Sequence, residues 1–136
     1  MSKSSGVVAG RAEAEAFFKA NPDVDSIEMI YTDFGGVPRG KRLRQHEVMA
    51  VYETGRMFPG SITVVDITGQ DTVETGLVWE DGDADRRIHP IPGTLAPVPW
   101  LADTAQVLIA PAAPEGAADW WFDPRSILAR VVARFA

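Results

Sequence analysis

The sequence predicts a mixed α/β module, because segments with strand periodicity are interspersed with segments of helical periodicity. The hairpin-like segment Ser26 to Leu43 reads SIEMIYTDFGGVPRGKRL. Its first arm carries apolar residues on both faces, which predicts an inner strand, while Pro38 and the charges of the return arm predict an edge strand. Thr104 to Ala110 (TAQVLIA) predicts a short buried strand.

Two helices are predicted around the hairpin. Arg11 to Ala20 (RAEAEAFFKA) is rich in good helix formers, with Phe17 and Phe18 directed at the core. His46 to Thr54 (HEVMAVYET) has apolar residues at helical spacing, and Gly55 is a suitable C-cap. We expect this second helix to lie across the sheet.

The segments between the hairpin and the last strand are predicted from their turn residues and prolines. They are a loop at Phe58-Pro59-Gly60 that becomes a strand near Ile62, a turn at 68–71, an extended stretch at 72–79, an acidic loop at 81–85 and an extended surface segment at 90–100.

A third helix is predicted to begin after Asp123, with Asp123 as N-cap and Pro124 in the first helical position. No stop signal follows, so we expect it to run to the last residue. Its wide apolar stripe consists of Ile127, Leu128, Val131, Val132 and Phe135. Such a stripe either docks on this domain or is covered by polypeptide of a larger protein, and we favour the second explanation.

Composition excludes several classes of function. The chain has 136 residues, a formal net charge of −6 and no cysteine. The acidic balance argues against nucleic-acid binding, and the absence of cysteine excludes disulfides and thiolate chemistry. No apolar run reaches the roughly 18 residues of a membrane span, and the first residues lack a secretory h-region. We therefore expect a cytoplasmic protein.

No constellation of residues predicts a catalytic or metal site. His46 and His89 lack the partners of a zinc helix, so each is predicted to be a surface or capping side chain. Asp81, Asp83 and Asp85 have the spacing of the first calcium-loop ligands, but Arg86 replaces the glycine that such a loop needs. The residues alone therefore predict a mixed α/β module without self-contained catalytic machinery.

Four segments in order resemble the amino-terminal part of the glutamine synthetase family. They are IEMIYTDFGGVPRGKRL at 27–43, GRMFPGS at 55–61, GDADRRIHPIPGT at 82–94 and DPRS at 123–126. Residues 1–10 are predicted to be a flexible tail, because the first residues are small and polar. The resemblance implies an α+β domain at 11–110, with a β-grasp-like mixed sheet and a crossing helix, and a linker with the first helix of a missing catalytic domain at 111–136.

For the full-length parent, the resemblance implies an ATP-dependent ligase that joins glutamate to ammonia or an amine, with Mg²⁺ or Mn²⁺. Active sites in this family lie between subunits of ring-shaped oligomers, and the amino-terminal domain completes its neighbour's site. The implied partners are the chain's own catalytic domain and neighbouring copies in a homo-oligomer, with no nucleic acid or membrane. This fragment is then expected to bind no cofactor, to contain no catalytic residue and to be inactive alone.

One departure of this sequence from glutamine synthetase proper concerns a residue that binds the amine substrate. Glutamine synthetase proper has an aspartate that helps bind ammonium where this sequence has Pro59. The segment is similar to the γ-glutamylpolyamine synthetase-like branch, which implies that Pro59, Gly60, Ser61 and Asp66 bind substrate in the neighbour's pocket. Alternatively, Pro59 only shapes the loop. Glutamine synthetase proper, a stand-alone β-grasp interaction module and a regulatory decoy that joins the rings of a homologue also stay open.

Overall fold

The computed structural model describes residues 9–111 and 122–135, which form an α+β fold with a curled mixed sheet. Its helices are α1 (Arg11–Ala20), α2 (Gln45–Thr54) and α3 (Pro124–Val132). Its strands are β1 (Ser26–Thr32), β2 (Pro38–Arg44), β3 (Arg56–Pro59), β4 (Asp85–Pro90), β5 (Ala96–Pro97) and β6 (Thr104–Pro111). The predicted fold class is confirmed, and the arrangement is consistent with a β-grasp-like domain.

The sheet has the strand order β2-β1-β6-β4-β3, with β5 paired to β6. β1 pairs antiparallel with β2 and parallel with β6, so it is the inner strand that its sequence predicts. Ile27, Met29 and Tyr31 alternate into the core from β1, where Val107 and Ile109 of β6 join them. The predicted edge position of β2 and the predicted burial of β6 are also confirmed.

The reversal between β1 and β2 depends on its glycines. Gly36 has φ +77°, a left-handed conformation that glycine adopts without strain. Gly40 lies so close to β1 that an added β-carbon would be 1.7 Å from the carbonyl oxygen of Met29. The hairpin therefore tolerates no side chain at this point of β2.

The first two helices cover the core as predicted. Phe18 of α1 is buried and Phe17 packs partly against the core. α2 contacts β1, β2 and β4, which confirms that it lies across the sheet. Gly55 ends α2 at φ +72°, so the predicted C-cap is confirmed.

The segment after α2 corrects two predictions. Phe58 and Pro59 belong to β3, where the sequence predicted a loop. Ile62, near which a strand was predicted to begin, lies in the 3-10 turn Gly60–Thr63. The pairing of Phe58 with Arg86 explains the difference, because it buries Phe58 in the sheet. The extended stretch predicted at 72–79 is also wrong, since Val73–Thr75 forms a 3-10 turn.

The predicted start of α3 is confirmed, because Asp123 Oδ2 accepts a hydrogen bond of 2.9 Å from the Ser126 amide. The predicted run to the last residue is wrong. The helix ends at Val132, and bonds such as Arg134 N to Val131 O tighten the chain into a final turn. Leu128 is 62% exposed and Phe135 is 87% exposed, so the described part of the chain leaves the apolar stripe largely uncovered.

The curl brings residues from the opposite edges of the sheet together. Lys41 Nζ of β2 lies 5.0 Å from the ring centre of Phe58 in β3. The Phe34 amide, just beyond β1, donates a 3.3 Å hydrogen bond to the carbonyl oxygen of Thr63. The segment after β3 therefore closes against the β1–β2 hairpin.

Candidate functional site

The sequence-predicted site residues all lie in or beside one surface segment, residues 59–70, which we name the candidate loop. Pro59, Gly60 and Ser61 enter the 3-10 turn that follows β3. Asp66 begins a second turn, in which its amide donates a 2.8 Å hydrogen bond to the carbonyl oxygen of Gln70. The structure thus places the first three residues together and Asp66 in the next turn of the same loop.

The first turn is fastened to the acidic loop before β4. The Gly60 amide donates to the carbonyl oxygen of Ala84 at 3.2 Å, and the Ser61 amide donates to Asp83 Oδ1, also at 3.2 Å. Arg86 forms an ion pair with Asp81 across the base of the acidic loop. Residues 81–84 therefore form the predicted loop and are hydrogen-bonded to the first turn, whereas Asp85, which the prediction included, begins β4.

Pro59 has the geometry of a loop-shaping residue. Its φ of −60° and ψ of 139° are values that the proline ring favours before a tight turn. Ser61 is only 4% exposed, so its side chain is buried. A binding role for Pro59, Gly60 and Ser61 stays a prediction.

Asp66 presents a fixed carboxylate at the surface. Its Oδ1 accepts hydrogen bonds from the Thr68 amide (2.8 Å), the Thr68 hydroxyl (2.7 Å) and the Gln70 amide (2.9 Å). These bonds, the Thr68 hydroxyl above all, lower the pKa of Asp66 below its ordinary value. The carboxylate is therefore anionic at neutral pH and can attract a protonated amine, although its role in binding stays a prediction.

Sequence reasoning missed the ion pair that joins the candidate loop to the hairpin. The Asp33 side chain is fully buried; its Oδ1 accepts a 2.9 Å hydrogen bond from the Val37 amide, and its Oδ2 accepts one from Arg39 Nε. Arg39 Nη2 also donates to the carbonyl oxygen of Asp66 at 2.7 Å. The only signal in the sequence is the opposite charges of Asp33 and Arg39 on the two sides of the Gly35-Gly36 reversal.

The electrostatics of Asp33 follow from these contacts. Burial raises the pKa of Asp33, but the hydrogen bonds from Arg39 and the Val37 amide, with the Arg39 charge, outweigh burial. The net effect is a pKa below the ordinary value, so Asp33 is ionised at neutral pH.

A second buried contact links the sheet to α3. The Tyr31 hydroxyl donates a 3.1 Å hydrogen bond to Oδ1 of Asp123, the residue that also caps α3. Burial raises the pKa of Tyr31 strongly, and the Asp123 charge adds to the effect. Beside this contact, Tyr31, Phe58 and Phe122 line a cavity of about 10 Å³, which is about the size of one water molecule.

A metal site does not emerge from residues 9–111 and 122–135. No group of three histidine, cysteine, aspartate or glutamate side chains in these ranges is arranged to hold an ion. His46 is exposed, as predicted, whereas His89 lies half-buried within β4 and is not a surface or capping side chain. The side chains in these ranges therefore do not fit Mg²⁺ or Mn²⁺.

No helix within residues 9–111 and 122–135 is both long enough and apolar enough to cross a bilayer.

Comparisons with known proteins identify relatives over most of the chain. The chain is 29% identical over 119 residues to the gamma-glutamylputrescine synthetase PuuA of Escherichia coli (strain K12), which covers 88% of this chain and 25% of that protein. No protein-family model matches. The chain therefore spans about a quarter of the length of this relative.

Two solved structures share the fold. A structure of apo GmaS without ligand superimposes with a TM-score of 0.60 at 22% identity, covering 88% of this chain and 25% of its own. Plasmodium falciparum glutamine synthetase superimposes with a TM-score of 0.57 at 20% identity, covering 93% of this chain and 22% of its own. The chain is therefore similar, in sequence and in fold, to the amino-terminal domain of the glutamine synthetase family.

Proposed function

We propose that this chain is the amino-terminal domain of an ATP-dependent glutamate–amine ligase of the γ-glutamylpolyamine synthetase-like kind. The similarity to a gamma-glutamylputrescine synthetase over 88% of the chain supports this assignment. In the proposed parent, residues 11–110 form the amino-terminal domain, and residues 111–136 lead into a catalytic domain. That domain supplies the sites for ATP and for Mg²⁺ or Mn²⁺.

The candidate loop is proposed to complete the active site of a neighbouring copy in a cytoplasmic homo-oligomer. The observation that carries this proposal is the fixed, ionised carboxylate of Asp66 on a loop whose entry holds Pro59 in place of an acidic residue. Because the loop is tied to the hairpin and to the acidic loop, it is a rigid edge that a neighbouring subunit can use. Gly60 and Ser61 then shape the floor of the amine pocket.

A diamine offers a physical reason for this arrangement. One amine must be neutral to attack an activated glutamate, while the other stays protonated at neutral pH. The Asp66 carboxylate is proposed to bind the protonated amine and so to orient the diamine. The single nitrogen of ammonium must be neutral at the moment of attack, so a carboxylate positioned for the distant, protonated end of a diamine is not expected to assist it.

The test uses the protein encoded by the complete reading frame. Glutamate-dependent ADP release is measured with putrescine and with ammonium, first for the wild type. Putrescine is expected to be the better substrate by kcat/KM. If ammonium serves as well as any amine, the assignment to a polyamine branch is wrong, and without glutamate-dependent turnover the ligase itself is wrong.

The role of Asp66 is tested with Asp66→Asn. We expect the KM for putrescine to rise about tenfold, with the KM values for ammonium, glutamate and ATP unchanged. Asp71→Asn is the matched control, because Asp71 is exposed in the strand-like bridge that ends the same turn. Equal effects of the two variants would contradict a specific role for Asp66.

A stand-alone β-grasp interaction module is the second candidate. The position of β2 at the end of the strand order favours it, because an edge strand can pair with a strand of another protein. The discriminating observation is the genomic sequence after the codon for Ala136. A stop codon there would favour the module, and a continuing catalytic domain would favour the ligase.

A further inference from the structure

We propose that Arg39 is a positioning residue for amine recognition, which sets the direction of the Asp66 carboxylate by clamping the turn at 66–70 to the hairpin. The inference rests on the proposed function, because it assigns Arg39 to the site that Asp66 is proposed to form.

The lower half of the clamp is the buried ion pair. Asp33 is fully buried and Arg39 is 21% exposed at the side chain. A buried carboxylate is costly unless it is paired, so Arg39 cannot leave Asp33 without a large loss of stability. Because the Val37 amide also holds Asp33, the guanidinium has a fixed base within the β1–β2 hairpin.

The upper half is the carbonyl oxygen of Asp66. It accepts a 2.7 Å hydrogen bond from Arg39 Nη2 and a 3.0 Å hydrogen bond from the Gly69 amide. A β-carbon on Gly69 would lie 3.4 Å from Arg39 Nη1, so the guanidinium packs directly against this turn. The carbonyl group of Asp66 is thereby fixed from the hairpin side.

The turn transmits this position to the carboxylate. Val65 and Asp71 form a bridge at its base, and the Thr68 and Gln70 amides both donate to Asp66 Oδ1. The main chain and the side chain of Asp66 therefore move together. A displaced carbonyl group displaces the carboxylate, and small misplacements of a binding group are costly.

The two contacts require an arginine. A guanidinium is a planar fork that donates in two fixed directions, whereas a lysine ammonium is a compact charge on a flexible stem. Arg39→Lys can retain the pairing with Asp33, but it cannot also reproduce the fixed bond to the turn. Arg42 offers a matched comparison, because it is on the same strand and its ion pair is with Glu28 on β1.

The experiment measures Arg39→Lys and Arg42→Lys in the full-length protein. For Arg39→Lys, we expect the KM for putrescine to rise about tenfold with kcat changed less than about twofold, and the KM for ammonium to stay unchanged. Arg42→Lys is expected to match the wild type. Hydrogen exchange of the Gly69 and Gln70 amides should accelerate in Arg39→Lys alone.

A second variant separates positioning from stability. Asp33→Asn/Arg39→Gln removes both charges, so it leaves no unpaired buried carboxylate, yet it still lacks the arginine clamp. It is expected to reproduce the higher KM for putrescine while unfolding cooperatively. An unchanged KM and unchanged exchange at 66–70 in both variants would overturn the role of Arg39. If the wild type shows no glutamate-dependent turnover, the ligase proposal fails, while the exchange rates still test whether Arg39 holds the turn.

Discussion

At the residue scale, Tyr31 and Tyr52 are two buried tyrosines that differ in the hydrogen-bond partner of the hydroxyl group. The Tyr31 hydroxyl donates to the buried carboxylate of Asp123, which also caps α3. Tyr31→Phe is therefore expected to lower the free energy of unfolding by about 2 kcal/mol, because a charged acceptor loses a donor. Urea unfolding followed by far-ultraviolet circular dichroism measures the change.

Tyr52→Phe is the control for this prediction. Tyr52 is 3% exposed, and within the described residues its hydroxyl has no hydrogen-bond partner. Its removal is expected to change the free energy of unfolding by less than about 0.5 kcal/mol, or to raise it slightly. Equal losses in the two variants would show that the bond to Asp123 contributes nothing specific.

The buried Asp33 predicts a dependence of stability on pH. Its pKa is lowered in the folded state, so its ionised form stabilises the fold at any pH above the unfolded pKa of about 4. This contribution is lost as the pH falls through the folded pKa. The difference in unfolding free energy between the wild type and Asp33→Asn should be constant between pH 7 and 5 and shrink below about pH 4.

The measurement is a set of urea titrations at several pH values for both proteins. Asp66→Asn serves as the comparison, because the pKa of Asp66 is also lowered but its carboxylate is exposed. The difference in unfolding free energy between Asp66→Asn and the wild type is expected to be smaller than the difference for Asp33→Asn. A difference for Asp33→Asn that stays constant down to pH 3 would contradict the assignment.

Residue roles were predicted well where chain neighbours decide them and poorly where distant contacts decide them. The order of Asp123 and Pro124 alone predicts the start of a helix, and Gly55 predicts the end of another. The Arg39 contact with Asp66 joins residues 27 positions apart, and no local pattern encodes it. The residues of the candidate loop could thus be predicted from the sequence resemblance, but the ion pair between Asp33 and Arg39 that supports the loop could not be predicted.

At the element scale, the hairpin depends on a close approach of two strands at Gly40. A β-carbon there would clash with the carbonyl oxygen of Met29 on β1. Gly40→Ala is expected to destabilise the protein by about 3 kcal/mol or more, because the backbone ladder must open to accept it. Thermal unfolding and the yield of folded protein measure the effect.

Gly36→Ala is the matched variant in the same hairpin. Its φ of +77° strains an alanine, but an added β-carbon meets no atom within 4 Å. A loss of about 1–2 kcal/mol is expected, which is less than at Gly40. The reverse order of the two losses would mean that the hairpin relaxes more easily than the β1–β2 register indicates.

Elements were predicted from the sequence when the signal lay within their own residues. α2, β1 and β6 were predicted from their apolar residues, α1 from its helix-forming composition, and β2 from the reversal and charges of the hairpin, with boundaries close to those observed. β3 and β4 were missed because each is stabilised by the other: Phe58 faces Arg86, and Pro59 faces Asp85. A proline beside a glycine predicts a loop locally, and only the pairing across the sheet makes the segment a strand.

At the scale of the whole molecule, the uncovered stripe of α3 predicts self-association. Val132 is 58% exposed and Phe135 is 87% exposed, which is a large apolar surface for a free chain. Light scattering of the 136-residue chain is expected to give an average molar mass that rises with protein concentration. The double variant Val132→Glu/Phe135→Glu should reduce the rise.

Arg134→Glu is the control, because it makes the net charge more negative by the same amount without removing apolar surface. It is expected to associate like the wild type at moderate salt. A monomeric wild type at every concentration, or equal effects of both variants, would contradict an apolar contact through α3.

The parallel pairing of β1 with β6 has a consequence for how the protein is made. Glu28 and Gln106 face each other across this pair, although 78 residues separate them. A ribosome that adds about 5–20 residues per second needs several seconds to deliver β6 after β1 has emerged. During that interval the nascent hairpin can close, but one flank of β1 has no native partner and can pair with another chain. Slowing translation after residue 44 should therefore lower the fraction of protein that reaches the native state, and chaperone binding should be strongest on chains that end before residue 104.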